Sequence, residues 1–137
     1  MGAWDATVFG NDEAADFANA IDDLGDREPI ITLLRTTMVE VLGNLEYLDA
    51  FAGSEALAAA ALVASWDQPD LLEAGAYGPE SWPPSGGPAP ADLRTLAGRA
   101  IDRLLNPDDN ELYDLWADAG DWDAFSADIG RYRSALH

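Results

Sequence analysis

The run of nine apolar residues from 56 to 64, six of them alanine, constrains the fold of this chain more than any other feature. Alanine is the strongest helix former, and its small side chain lets neighbouring helices approach closely. Ser54 is suited to cap such a helix, which would extend to Trp66. We therefore predict a central helix that is buried on all sides, because no polar face is present to meet solvent.

Five further helices are indicated by apolar residues that recur every three or four positions. Their predicted bounds are 12–24, 29–42, 90–105, 110–119 and 122–136, and Leu45, Tyr47 and Leu48 could prolong the second of them. Residues 7–9 are the only candidate for a short strand. The predicted fold class is all-α, with residues 1–137 forming a single compact helical bundle of five to six helices.

Short polar residues and Pro or Gly mark the ends of these helices. Asn11 or Asp12 is placed to cap the first helix, Asp109 the fifth and Asp121 the last. Pro29 suits the first turn of the second helix, where a missing N–H does no harm.

A long loop rich in Pro and Gly is predicted between residues 67 and 90, where the helical spacing stops. Long loops in compact domains are either functional or disordered. Trp82 lies inside this loop. Its side chain docks the loop onto the core or, as the less favoured alternative, receives a ligand.

The chain is strongly acidic, with 26 Asp and Glu against seven Arg, no Lys and a formal net charge of -19. Such a field repels phosphate backbones and anionic membranes, so we expect no direct nucleic-acid binding and no membrane binding. It favours encounter with a basic protein. The alternative is that the acidity reflects genome composition or adaptation to high salt. The densest positive group, Arg94, Arg99 and Arg103, is expected to pair with neighbouring acids.

Several kinds of chemistry are disfavoured by missing residue types. There is no cysteine, and the single histidine, His137, is the last residue, where chain ends are usually mobile. Nucleophilic sites that use Cys–His or Ser–His pairs are therefore not expected, and we predict no catalytic residue, no metal site and no cofactor. No signal peptide or membrane-spanning run is recognised, which indicates a cytoplasmic protein.

Carboxylates on the first helix are the remaining candidates for chemistry. Asp12 and Asp16 lie one turn apart on the side opposite the apolar stripe, where they could share a divalent ion. A solvated helix face is the favoured interpretation, because acids are frequent throughout this chain.

The opening of the chain, from Met1 to Phe17, resembles a family of uncharacterised bacterial proteins. Members of that family begin M-G-A-W-G-x-G-x-F-x-N-D-x-A-x-D-[WF], and the alanine-rich segment and residues 112–119 are also similar to it. Asp5 and Thr7 stand where the family has Gly, and Ala61 stands where it commonly has Glu. The family is a domain of unknown function, so the resemblance implies membership of that family and does not imply an activity.

Two interpretations of the opening motif remain. In the favoured one, aromatic residues anchor the N-terminus to the bundle. In the other, a pocket receives the basic group of a partner. The candidate binding residues of this pocket are Trp4, Asp5, Asn11, Asp12 and Asp16, and Trp82 of the loop is a further candidate.

The leading hypothesis for function is a non-enzymatic interaction protein, similar to an immunity or antitoxin factor, that covers a basic partner. The rival is a carboxylate-dependent hydrolase or small-molecule-binding domain using Asp12 and Asp16 or the Trp82 loop, which requires a pocket with carboxylates of raised pKa. A homo-oligomer is a third possibility, formed through the face of Trp122, Phe125, Ile129 and Tyr132.

Overall fold

The computed structural model describes residues 7–72, 79 and 81–136, and this part of the chain contains six α-helices and no strand. The helices are α1 (Asp12–Leu24), α2 (Arg27–Gly43), α3 (Ala50–Ser65), α4 (Ala91–Leu105), α5 (Glu111–Asp118) and α6 (Trp122–Ala135). A single 3₁₀ turn, Pro69–Leu71, follows α3. The predicted all-α bundle is thus confirmed.

The alanine-rich helix α3 is the centre of the bundle, as predicted. All residues from Ala56 to Ser65 are buried, and α3 packs against each of the other five helices. Gly53 lies at a close approach, because a Cβ atom there would be 3.0 Å from Cδ1 of Leu104. The small side chains therefore bring α4 close to α3.

The start of α3 was predicted wrongly. The helix begins at Ala50, and the cap is Asp49, whose carboxylate accepts a hydrogen bond from the N–H of Ala52 at 2.8 Å. Ser54 lies inside the helix and is buried. Both residue types are good caps. The helix starts earlier because the backbone of Leu48 is hydrogen-bonded to Asp109 and Glu111, and the chain turns into the helix directly after it.

Three other predictions of local structure need correction. Helix α2 begins at Arg27, two residues before the predicted start, and its first-turn proline is tolerated because the first N–H groups of a helix have no helical acceptor. The cap of α5 is Asn110 and not Asp109, which has a positive φ of 52°. Residues 7–10 form a turn closed by the N–H of Gly10 and the carbonyl of Thr7, so the short strand does not form.

The face of α6 proposed for a homo-oligomer belongs largely to the core. Phe125, Ile129 and Tyr132 are buried, and Phe125 stacks on Trp116 with ring centroids 4.7 Å apart. Trp122 is half-buried and meets Tyr113 edge-on at 4.7 Å. These contacts explain the apolar spacing along α6 within one chain, and homo-oligomerisation stays a prediction.

In the part of the chain that the structure describes, no helix has the length and apolar character needed to cross a membrane.

Candidate functional site

The structure gives Asn11 a role in folding. Its side-chain oxygen accepts a hydrogen bond from the N–H of Ala14 at 2.9 Å, and its amide donates to the carbonyl of Val8 at 3.4 Å. The residue is buried, so its polar atoms serve the start of α1. Two other candidates from the opening motif, Trp4 and Asp5, lie outside the described residues, as does His137.

Asp12 and Asp16 are both exposed on α1, one helical turn apart. Their exposure is what the predicted solvated face of α1 requires. Among the described residues, no cluster of His, Asp or Glu is arranged to hold a metal ion. The two carboxylates therefore contribute to the negative charge of the surface.

Trp82 packs its ring onto the central helix. Its indole N–H donates to the carbonyl of Leu62 at 3.1 Å, and the ring meets Trp66 edge-on with centroids 5.2 Å apart. The adjacent N–H of Ser81 reaches the carboxylate of Asp22 near the end of α1. Trp82 and Asn11 consequently lie near opposite ends of α1, and the structure does not bring them into one site.

The loop around Trp82 has two further anchors. Trp66 donates from its indole N–H to the carbonyl of Gly87 at 3.0 Å. Arg27 donates to the carbonyls of Gly87 and Pro88, and its guanidinium lies 5.1 Å from the Trp66 ring centroid. These hydrogen bonds hold residues 81–90 against α2 and α3. They join residues that are far apart in the sequence, so helical periodicity could not predict them.

Most arginines are engaged within the fold. Four make ion pairs with carboxylates, in the pairs Arg35–Asp92, Arg94–Asp67, Arg131–Asp128 and Arg133–Asp102. Arg27 and Arg103 donate instead to backbone carbonyls. The expected pairing with acids therefore holds for Arg94, whereas Arg103 braces the turn before α5. Arg99 is exposed.

Asp128 is a structural residue that the sequence did not reveal. Its Oδ2 accepts the N–H of Val8 at 2.8 Å, and its Oδ1 accepts from Nη2 of Arg131 at 2.8 Å. Only 9% of its side chain is exposed. The Asp–Arg spacing of three residues on α6 was the available signal, but the link to the N-terminal segment depends on tertiary packing.

A small cleft with acidic walls lies between the end of α2 and the start of α3. It has a volume of about 90 Å³ and is lined by Thr37, Glu40, Val41, Asn44, Leu48, Ala52 and Glu55. Partial burial raises the pKa of Glu55 above its ordinary value, and the negative charges of Glu40, Asp49 and Glu13 raise it further. Acids of α1 and α2 and the cap residue of α3 therefore act on one carboxylate.

The size of this cleft limits the chemistry it can host. Sites for drug-sized ligands occupy roughly 300–1,000 Å³, whereas the cleft has the volume of about three water molecules. The cleft is therefore smaller than a typical site for a drug-sized ligand. A positive charge here would relieve the repulsion that raises the pKa of Glu55.

A larger, open and mostly apolar groove lies between α1 and α2. It has a volume of about 500 Å³ and is lined by Ala20, Leu24, Pro29, Thr32, Leu33 and Thr36. Five of these six residues are exposed, Leu33 is half-buried, and Leu24 is exposed over 38% of its surface. The groove is therefore an accessible apolar surface on an otherwise acidic protein.

Exposed apolar side chains also occur at the α2–α3 corner. Leu45 is 89% exposed and Phe51 is 60% exposed. Between them, the hydroxyl of Tyr47 donates to Asp114 at 2.8 Å, and this bond together with neighbouring negative charges raises the pKa of Tyr47 to about 12. The bond fixes the tyrosine ring against α5.

These features define a small all-helical domain with an excess of acidic residues and an apolar groove between α1 and α2. The chain belongs to the family described as Domain of unknown function (DUF4259), whose profile matches residues 2–128. The family resemblance seen in the sequence is thereby confirmed. Comparisons with curated proteins and with solved structures find no match.

Proposed function

We propose that this chain is a non-enzymatic interaction protein that binds a basic partner protein, in the manner of an immunity or antitoxin factor. The observation that carries the proposal is the use of its arginines. Six of the seven are engaged by carboxylates or backbone carbonyls of the fold, and the described ion pairs involve only four carboxylates. The remaining acidic side chains give the protein surface a net negative charge.

The physical consequence is a negative field over the surface. Such a field accelerates encounter with a positively charged protein and disfavours like-charged partners such as nucleic acids. The exposed carboxylates of Asp12 and Asp16 contribute to it in this account, with no catalytic role.

Affinity capture tests the proposal. The immobilised chain is incubated with native lysate at about 0.05 M salt and eluted at about 0.5 M, with mass spectrometry of the eluate. An unrelated protein of similar size and net charge serves as the control resin. We expect a basic protein that the chain retains, the control does not, and salt releases. An eluate that matches the control contradicts the proposal.

The second candidate is a small-molecule-binding or carboxylate-dependent hydrolytic domain, and the raised pKa of Glu55 favours it. The small cleft volume weighs against it. A thermal-shift screen of small molecules tests this candidate. A hit that stabilises the wild type and loses its effect in Glu55→Gln would support it, whereas a screen without hits would contradict it.

A further inference from the structure

The corner between α2 and α3 exposes large apolar side chains that the core does not use. Five large apolar side chains are exposed within the described residues, and four of them lie between residues 39 and 51. Leu45, Tyr47 and Phe51 are 89%, 51% and 60% exposed, and all three lie outside the hydrophobic core. A single exposed leucine is ordinary, whereas such a concentration is typical of an interaction site. We call these three residues the corner patch.

The corner patch is held beside the start of α5. The N–H of Leu48 donates to the carbonyl of Asp109 at 2.8 Å, and the carbonyl of Leu48 accepts the N–H of Glu111 at 2.9 Å. Next to this pairing, the hydroxyl of Tyr47 donates to the carboxylate of Asp114 at 2.8 Å. The segment that carries the patch therefore lies against the acidic first turn of α5.

Carboxylates lie at both ends of the corner patch. At one end, the carboxylate of Glu111 accepts the backbone N–H of the residue directly before Phe51 at 2.8 Å. At the other end, Leu45 lines a depression of about 230 Å³ together with Asp108 and Asp109. These acids are placed by direct contacts with the patch or with its backbone.

The charge around the corner patch is negative on balance. The acids with exposed side chains here are Glu46, Asp108, Asp109 and Asp114. Within the described residues, none of the four forms an ion pair with an arginine. One cation, Arg103, lines the depression, and its guanidinium donates to backbone carbonyls there. Four exposed carboxylates and one guanidinium leave a net negative charge.

The titration of Tyr47 agrees with this placement. Its hydrogen bond to Asp114, together with loss of solvent and the negative charges of Asp114, Glu111 and Asp109, raises the pKa of Tyr47 to about 12. A cation brought to the same place would interact favourably with those charges.

We infer that the corner patch is where the basic partner docks, and that the partner presents there an apolar side chain flanked by Lys or Arg. The inference rests on the proposed function and adds to it the surface and the partner's chemistry. The partner's apolar side chain packs against Leu45 and Phe51, and its cations lie near Asp109 and Asp114. An apolar centre with a polar rim is the usual anatomy of a protein interface.

Charge disfavours two other occupants of the corner patch. A second copy of the chain has the same net charge of -19 and would bring its own carboxylates to this rim. An anionic membrane is repelled for the same reason. A basic protein surface satisfies both the apolar side chains and the carboxylates around them.

Three synthetic peptides of about 12 residues test the partner's chemistry on the full chain. The first carries Leu residues flanked by Lys. Glu replaces Lys in the second, and Ser replaces Leu in the third. Binding is measured by fluorescence anisotropy and located by amide chemical shifts. We expect the first peptide to bind and to shift amides of residues 44–51 and 108–114, and the other two to bind at least about tenfold more weakly.

Matched leucine variants test the apolar part of the surface. Leu45→Ser removes the most exposed side chain of the patch. Leu24→Ser makes the same change at an exposed leucine beside the start of α2, about 24 Å from the end of that helix. We expect Leu45→Ser to weaken binding of the first peptide about tenfold and Leu24→Ser to leave it within about twofold.

Matched charge variants test the acidic rim. Asp114→Asn removes a charge and keeps an acceptor for the hydroxyl of Tyr47, and Asp23→Asn removes the same charge at an exposed position of α1. At about 0.05 M salt we expect Asp114→Asn to weaken binding about threefold, with an effect that fades toward about 0.5 M, and Asp23→Asn to leave it within about 1.5-fold.

The inference would be wrong if no peptide bound saturably, if the three peptides bound equally, or if Leu45→Ser and Leu24→Ser had equal effects. A dimer of the chain in light scattering that Leu45→Ser dissociates would overturn it in favour of a second copy. A lysate partner retained equally by wild type and Leu45→Ser removes the corner patch and leaves the proposed function standing. An eluate matching the control resin removes the proposed function itself.

Discussion

At the scale of single residues, the polar side chains with the strongest structural roles are buried amides. Asn110 is fully buried, donates to the carbonyls of Leu104 and Asn106, and accepts the N–H of Tyr113. One side chain therefore satisfies the end of α4 and the start of α5. A carboxylate could accept at this position but could not donate to the two carbonyls.

Replacing Asn110 tests this role. We expect Asn110→Ala to lower the free energy of unfolding by about 2–3 kcal/mol, because it removes a helix cap and leaves two buried carbonyls without their donor. Asp108→Ala, an exposed neighbour in the same turn, is the control and should stay within about 0.5 kcal/mol. Urea denaturation measures both, and equal losses for the two variants would contradict the assignment.

Glu55 carries a second prediction at this scale. Burial, followed by repulsion from Glu40, Asp49 and Glu13, raises its pKa in the folded chain. The folded state therefore retains a proton longer than the unfolded state, and stability falls as pH rises through the ordinary carboxyl range toward the folded pKa. At neutral pH the ionised carboxylate destabilises the fold.

Glu55→Gln removes this repulsion and should stabilise the chain at pH 7. Because much of the side chain is solvated, the gain is expected to be below about 1 kcal/mol. It should shrink as pH is lowered toward about 4, where the wild-type carboxyl is protonated. Glu46→Gln removes the same charge from an exposed loop as a control. Thermal unfolding over this pH range checks the prediction, and a gain that does not depend on pH would argue against it.

At the scale of helices and loops, sequence patterns located the elements better than their ends. The bounds of α1 were predicted correctly because Asn11 and Gly25 are strong signals on both sides of a clear apolar stripe. The start of α3 was missed because Asp49 and Ser54 are both good caps, and alanine extends a helix in either case. Cap preference alone allowed a helix start at either residue, and tertiary packing determines which one is used.

The candidate site was less predictable than the fold. The exposure of Asp12 and Asp16 followed from helix periodicity. The acidic cleft and the apolar groove did not, because each depends on how consecutive helices pack against one another, which the spacing of residues within a helix does not determine. The same limit applies to Asp128, whose partner Val8 is 120 residues away.

The loop after α3 supplies the prediction at this scale. Trp82 is half-buried and bonded to the carbonyl of Leu62, so we expect Trp82→Ala to lower the free energy of unfolding by about 2 kcal/mol. Ser85→Ala, at an exposed position of the same loop, should have little effect. Chemical denaturation of the two variants decides the matter. A stability unchanged by Trp82→Ala would instead favour a ligand-binding role for the ring.

At the scale of the whole molecule, acidity and packing are separate properties. The core is built around α3 from apolar side chains, and the arginines brace loops and helix ends. The excess of acids could be read from the sequence. Which arginines would be engaged by the fold could not, since six of them donate to residues more than 30 positions away in the sequence.

The proposed binding of a basic protein by the excess surface acids can be measured by isothermal titration calorimetry. The chain is titrated with the basic protein recovered by capture, between about 0.05 and about 0.5 M salt. We expect an affinity that falls steadily as salt rises, because the screened field attracts the partner less. An affinity that is independent of salt over this range would show that the acids do not drive binding.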